Sequence, residues 1–369
     1  MNMDVLLAAL VEQKGSDLFI TVDAPPTLKV NGRLVPLGDK PLDKHAALAL
    51  VKESLDEAHF ERYLHTRAAN YAIHREGLGR FRVSAFWQQD LPGMVLRRIE
   101  TRIPTFEELT LPSILQEVAM AKRGLVLFVG ATGAGKSTTQ AAMIGYRNQH
   151  GDGHILTVED PVEFVHQHGR CLVTQREVGI DTESFNVALK NSMRQAPDVI
   201  LIGEIRTQET MELAIQFAET GHLCLATLHA NNANQALDRI LHLVPQEKHR
   251  QFLFDLSFNL RAIVAQQLLP SLHGQRRVAA FEILLNTPLI TDIVRKGEMH
   301  RLKEVMTKSG ELGMQTFDQA LFALFCAGQI GYSEALAHAD SANDLRLLIK
   351  LSGREQLGAG TLDNVTLDE

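Results

Sequence analysis

Cysteine is scarce in this chain. Cys171, Cys224 and Cys326 are the three present among 369 residues, odd in number and far apart. That argues against a disulfide framework and against a four-cysteine zinc site, and it fits a reducing cytoplasm. No apolar run approaches the length of a membrane span, so any membrane role is expected to be peripheral. The start, Met1 to Val11, carries Asp4 and lacks the basic segment and apolar core of a signal peptide. Positive charge is not in excess either. A formal net charge of −7 gives no general basic footprint for nucleic acid, although a local basic groove is compatible with it. Internal repeats and low-complexity tracts are absent from the sequence. What remains is an ordinary globular composition, 45% apolar, long enough for about two domains.

One stretch organises the rest. Residues 124–138 read GLVLFVGATGAGKST, an apolar run that ends in glycine and passes into G-x-x-x-x-G-K-[ST]. Strand, glycine loop and helix start stand in the order a P-loop requires. Gly130, Ala131, Thr132, Gly133, Ala134 and Gly135 can wrap a phosphate with inward-pointing N–H groups. The helix that opens at Lys136 adds the positive end of its dipole. In such a loop Lys136 reaches the β- and γ-phosphates, and the hydroxyl of Ser137, followed by Thr138, helps hold Mg²⁺.

Around it the chain reads as two parts. Residues 1–14 have amphipathic helical spacing, Asp17–Val22 reads as a strand, and 27–37 as a hairpin turning at Asn31-Gly32. Helical spacing over 43–65 and strands at 69–75, 80–88 and 94–99 complete a small α+β domain with an antiparallel sheet. In the strand RFRVSAFW, Phe81, Val83, Ala85 and Trp87 fall on one face and Arg80 and Arg82 on the other, with Arg97 and Arg98 on the next strand. From spacing alone that arginine face reads as solvated sheet surface, by about two to one over a cationic edge that meets phosphate across a subunit interface. Residues 100–113, with Pro104 and Pro112, read as a linker. Strands at 125–129, 155–158, 172–175, 199–202 and 223–227 then alternate with helices at 136–147, 184–195, 207–219 and 234–243, which predicts an α/β domain with a largely parallel sheet. Residues 249–269 read as helical and then extended, 277–285 as a strand, and 288–350 as mostly helical. From Ser352 the tail is rich in Gly, Asp and Thr and is expected to be disordered.

Three segments set polar groups at strand ends, where an α/β sheet binds its ligand. In ILTVEDPVEF, Glu159, Asp160 and Glu163 are candidates to orient water beside a γ-phosphate, although capping and turn formation explain Asp160 before Pro161 well and Glu163 less well. In DVILIGEIR an apolar strand ends in Glu204, the pattern of an acid that addresses Mg²⁺, with Gly203 where an aspartate is commoner. Asp198 stands at the wrong end of that strand for metal and reads as a cap. In GHLCLATLHANN, His222 and His229 end one strand, too far apart to form a metal site by themselves. A lone histidine is more often structural, but His229 is placed to sense a γ-phosphate if its strand neighbours that of Glu204.

In this order the motifs resemble the secretion ATPases of type II and type IV pilus systems. The segments SDLFITVDAPPTLKVNGRL and GRFRVSAF are similar to that family's N-terminal domain, and the resemblance extends over residues 1–345. Within the family the chain resembles the pilus retraction (PilT/PilU) branch, because extension and secretion ATPases are longer and usually carry a four-cysteine zinc motif. PilT-type members carry an AIRNLIRE-type helix. Here Pro288-Leu-Ile-Thr-Asp-Ile-Val-Arg295 stands at the matching place with two residues of the polar pattern missing, and the chain runs on past residue 345. Both features resemble the accessory, PilU-type member of the branch.

The resemblance implies a homohexamer. Each subunit would hold a PAS-like N-terminal α+β domain (1–103), a linker and start of the ATPase domain (104–120), a RecA-like P-loop core (121–287), a helical C-terminal region (288–350) and a tail (351–369). It implies ATP and Mg²⁺ as cofactors, Glu163 as catalytic glutamate, Glu204 with Ser137 at the metal, and His229 as γ-phosphate sensor. It also turns Arg82 and Arg97 from a solvated face into arginines that reach the phosphates. The partners implied are a PilT-type retraction ATPase and an inner-membrane pilus platform protein. The implied location is cytoplasmic, peripheral at the inner face of the bacterial inner membrane at the pilus base, with no nucleic acid. The activity implied is ATP hydrolysis that drives pilus disassembly in twitching motility. Two alternatives stand beside it: a nucleotide-binding ring that acts mainly by docking on another retraction ATPase, and a RecA-like DNA motor. The acidic charge and the lack of a basic, aromatic-interleaved stretch count against the last.

Overall fold

Alternating burial along the N-terminal strands builds an antiparallel sheet with one apolar face. The computed structural model describes residues 2–99, 102–272, 274 and 277–353. The first strands are β1 (Asp17–Ile20), β2 (Thr27–Val30), β3 (Arg33–Pro36), β4 (Ala68–Arg75), β5 (Gly79–Gln88) and β6 (Leu91–Ile99). They lie in the order β3-β2-β1-β6-β5-β4, every pair antiparallel. Asn31 and Gly32 take positive φ at the β2–β3 turn, as the Asn-Gly pair predicts. Phe81, Val83 and Ala85 of β5 are buried against Met3, Leu6, Leu7 and Leu10 of the helix Met3–Glu12 and against the helix Lys44–Glu53. The single helix expected over 43–65 is two, Lys44–Glu53 and Glu57–Thr66. Asp56 accepts the His59 N–H as an N-cap between them and starts the second afresh.

The second sheet is built on β7 (Gly124–Val129), whose six residues are all buried. It continues through β8 (Gly153–Glu159), β9 (Cys171–Glu177), β10 (Val199–Ile202), β11 (Leu223–Leu228), β12 (Leu260–Pro270) and β13 (Arg277–Leu285). The order is β13-β12-β7-β11-β10-β8-β9. The pairs β12–β7, β7–β11, β11–β10 and β10–β8 are parallel, and β13 is antiparallel to β12. Continuous apolar runs such as VILI in β10 fit strands covered on both faces. Phe106, Leu115, Phe128, Met143, Leu225, Phe281 and Ile283 belong to its core on one face. Helices follow at Lys136–His150, Phe185–Ser192, Gln208–Glu219 and Ala233–His242, and a mostly helical region runs from Pro288 to Leu351. This is the α/β fold expected, an N-terminal α+β part followed by a P-loop domain. The helix Ile114–Ala119, to which the sequence reading assigned no element, follows directly on the 100–113 linker; Pro112 and Ser113 start it. Glu100 and Thr101 of that linker, and the tail beyond Gly353, lie outside the described residues.

The chain packs as two compact units. The first runs to Ile103 and also takes in Pro161–His166 and Glu177–Ser184; the second holds Pro104–Asp160, Gln167–Arg176 and Phe185 onward. Two short stretches numbered inside the P-loop domain therefore pack with the N-terminal sheet.

Candidate active site

The parallel register brings three polar strand ends to one edge of the second sheet. Strand β11 lies between β7 and β10, with Leu228 beside Val129 and Ala226 beside Ile202. Past those ends come the glycine loop after β7, His229 after β11 and Glu204 after β10. The neighbour relation assumed for His229 is thus present.

Backbone geometry explains the glycines of the loop. Gly130, Gly133 and Gly135 have φ of +147°, +80° and +88°. A Cβ on Gly130 would meet the Gln266 carbonyl oxygen at 2.5 Å, so the residue has no room to be anything else. Lys136, at 8% exposure, folds its ammonium back onto the loop and donates to the Gly130 carbonyl at 2.8 Å and the Ala131 carbonyl at 2.9 Å. Ala131, Thr132 and Gly133 are exposed, Ala134 is buried, and Gly135, Ser137 and Thr138 are half-buried. Ser137 occupies the second position of the helix Lys136–His150, where N–H groups lack intrahelical partners.

Glu204 and His229 meet. His229 Nε2 lies 3.0 Å from Glu204 Oε1, and Arg206 donates through Nε to Glu204 Oε2 at 2.7 Å. The Glu204 side chain is 19% exposed. Gly203 explains why this strand end lacks the commoner aspartate. Its N–H donates to the Val158 carbonyl at 2.8 Å, and a Cβ there would lie 3.1 Å from Glu159 Cα. Glu159 itself is held by the Thr157 hydroxyl and the Gln175 amide. Asp198 accepts the His154 N–H at 2.7 Å, the cap role expected of it, and His222 faces the Phe217 carbonyl and the Thr220 hydroxyl, a structural histidine.

Glu163, Arg82 and Arg97 belong to the first unit. Arg82 and Arg97 are direct cross-strand partners on β5 and β6. Arg97 Nε donates to the buried Asp17 carboxylate at 2.8 Å, yet 68% of the Arg97 side chain stays exposed. Arg80 lies 3.6 Å from Glu177, which also accepts the Val162 N–H at 3.2 Å. Burial pushes the Glu177 carboxyl up, against the pull of that N–H and of the Arg80 and Arg82 guanidinium groups. Glu163, exposed, follows directly on the Val162 anchor.

Two residues here escape motif reading. Gln266 of β12 is 3% exposed, accepts the Thr139 hydroxyl at 2.8 Å and backs Gly130 with its own carbonyl, fixing the loop from behind. Glu177 ends β9 without belonging to any motif. The available signal for Gln266 was a Gln-Gln pair inside an apolar strand, and for Glu177 an acid between two arginine-bearing stretches.

Comparison with known proteins agrees with this geometry. The family model described as "Type II/IV secretion system protein" matches residues 70–314. The chain belongs to this family. Among secretion ATPase relatives, the Type IV pilus ATPase PilU of Pseudomonas aeruginosa is 61% identical over 351 residues, 95% of this chain and 92% of that one. The Type IV pilus retraction ATPase PilT of the same organism is 39% identical over 338 residues, covering 91% and 97%. A crystal structure of the pilus retraction motor PilT with bound ADP superposes with a TM-score of 0.88 at 35% identity, over 94% of this chain and 99% of that one. No helix among the described residues is long and apolar enough to cross a membrane.

Proposed function

We propose that the chain is the ATP-hydrolysing motor of type IV pilus retraction in its accessory, PilU-type form. The observation that carries this is the alignment of a complete P-loop, Glu204 and His229 at three consecutive parallel strand ends. The 61% identity to a PilU supports the accessory assignment over the PilT type. Lys136 would exchange its two carbonyl partners for the β- and γ-phosphates. The amides of 130–135 and the start of the helix at Lys136 would hold the rest of the negative charge. His229 would sense the γ-phosphate and pass its state to Glu204, which it already touches. Glu163 would orient the attacking water, and Arg82 and Arg97 would add positive charge to the phosphates.

The donor set fits Mg²⁺. Among the described residues no group of three or more His, Cys, Asp or Glu gathers as a metal cage. Mg²⁺ takes few protein ligands and keeps its waters. Ser137 would supply the hydroxyl and Glu204 would act through water. When bound, the ion neutralises charge that develops on the phosphate oxygens. Glu204 faces His229 at Oε1 and accepts from Arg206 at Oε2, and its remaining lone pairs could accept a metal-bound water.

A homohexamer at the cytoplasmic face of the inner membrane, working with a PilT-type ATPase and a pilus platform protein, completes the proposal. ATP turnover by the size-selected oligomer tests it, wild type beside Lys136→Ala and Glu163→Gln. Turnover that both substitutions remove is the expected result. Nucleotide binding without turnover in the wild type would refute a self-sufficient motor. It would favour a ring that depends on a companion ATPase.

A further inference from the structure

Glu282 is a carboxylate with no place in the chemistry above, and it is fully buried. It lies on β13 opposite Ala265 of β12, at 0% exposure. Its neighbours Phe281 and Ile283 face the core described earlier, so Glu282 points to the opposite face of the sheet. There Oε1 accepts the N–H of Ala233, the first residue of the helix Ala233–His242, at 2.8 Å. The Phe317 N–H, first in the helix Phe317–Cys326, also draws on the carboxylate, and Oε2 is buried without a full hydrogen bond.

The helix that Glu282 pins begins four residues after His229. The connection His229–Asn232 is short and has its own ties. Asn232 accepts the Gln235 N–H at 3.0 Å and donates to Asp340 at 3.2 Å, and Asn231 N–H donates to Gln235 Oε1 at 3.2 Å. Asp340 is paired with Lys303, and its own N–H donates to Asp318 at 2.9 Å. A cavity of about 590 Å³ opens between the glycine loop, Asn231, Asn232 and Asp340, so this cluster reaches the nucleotide site from the C-terminal helices. An acid in an apolar core is costly, and a residue that merely filled space would do so better as Leu or Met.

We propose that Glu282 is a positioning residue for His229: by fixing the first turn of the helix Ala233–His242 it holds the connection that sets the imidazole against Glu204. This rests on the reading of His229 as the γ-phosphate sensor. Glu282 touches neither nucleotide nor reacting atoms. Its loss therefore lowers the turnover number and leaves nucleotide affinity alone.

Full-length oligomer is assayed for ATP turnover and for binding of a fluorescent ATP analogue, as wild type, Glu282→Ala, Glu282→Gln, His229→Ala and the double variant Glu282→Ala/His229→Ala. Expected are a kcat about tenfold lower for Glu282→Ala with KM and analogue affinity within twofold, and at least half the wild-type kcat for Glu282→Gln, which keeps the acceptor for the Ala233 N–H. In the His229→Ala background, Glu282→Ala is expected to add less than a twofold loss. A full tenfold further loss there would overturn positioning through His229. If Glu282→Ala fails to fold, the proposal stands on Glu282→Gln and Glu282→Met, and equal losses in both would overturn it. Undiminished turnover in His229→Ala alone would instead remove the sensor reading, and the proposal with it.

Discussion

Replacing Glu282 by Gln should make the protein more stable at alkaline pH and leave it unchanged in acid. Burial pushes the Glu282 carboxyl from 4.5 up to about 7, while the Ala233 N–H, the Phe317 N–H and Lys303 pull it down and Asp340 pushes it up. Asp318, which accepts the Asp340 N–H, adds a further acid to the cluster. In the unfolded chain the same carboxyl ionises near 4.5. Between pH 4.5 and 7 the folded state therefore binds more protons, and raising the pH favours unfolding. The penalty starts near pH 4.5, grows to pH 7 and is complete above it, at about 3 kcal/mol. A neutral amide of the same shape escapes it and still accepts the Ala233 N–H. With about 2–4 °C per kcal/mol for a domain of this size, Glu282→Gln should raise the Tm of the second unit by about 6–12 °C at pH 8 and by nearly nothing at pH 4. Calorimetry of both proteins across that range gives the difference directly, because titrating groups remote from Glu282 cancel. A difference independent of pH, or one that grows toward acid, would refute the reasoning.

Other substitutions read out separate parts of the structure. Lys136→Ala removes the cation whose two donors lie on the Gly130 and Ala131 carbonyls, and should cut turnover by a hundredfold or more, on the order of a lost preorganised charge. Gln266→Ala leaves the Thr139 hydroxyl, 1% exposed, without its acceptor, and should cost about 1–3 kcal/mol in urea unfolding while weakening nucleotide binding. Gly203→Ala pushes a methyl group toward Glu159 Cα and the Val158 carbonyl and should destabilise by about 1–3 kcal/mol, with loss of turnover out of proportion to the stability change. Arg97→Ala strips the buried Asp17 of its guanidinium and should cost about 1 kcal/mol, given how exposed the arginine is. An Asp17→Asn variant with normal turnover would separate that effect from any role of Arg97 at phosphate.

Much of this was legible because the informative residues are local. The glycine loop, the apolar runs of β7, β10 and β11 and the Asn31-Gly32 turn are each dictated by neighbours in sequence, and they stand where periodicity puts them. The adjacency of the strands that end at His229 and Glu204 was legible from motif order, whereas the direct contact between the two side chains was not. Residues whose partners are distant in sequence were not legible. Gln266 meets Thr139 across 127 residues, and Glu282 meets Ala233 across 49. Nothing in the strand RVAAFEILL distinguishes a buried acid that caps a helix from a solvent-facing one. The break at Ser54–Asp56 was missed because apolar spacing continues through it, and only the Asp56 cap marks it. Pro161–His166 and Glu177–Ser184 are numbered among the P-loop strands, and no local pattern says that they pack with the first unit.

On the proposed reading of Lys136 as a phosphate contact, its two carbonyl bonds make nucleotide capture an exchange reaction. Here the charge is already satisfied by the loop it serves. The incoming phosphates gain only the difference between their contacts and two good carbonyl bonds. When phosphate leaves, the lysine has somewhere to go. Such a loop gives up some affinity and gains an easy exit for product, a balance suited to a machine that must repeat its cycle rather than hold its ligand.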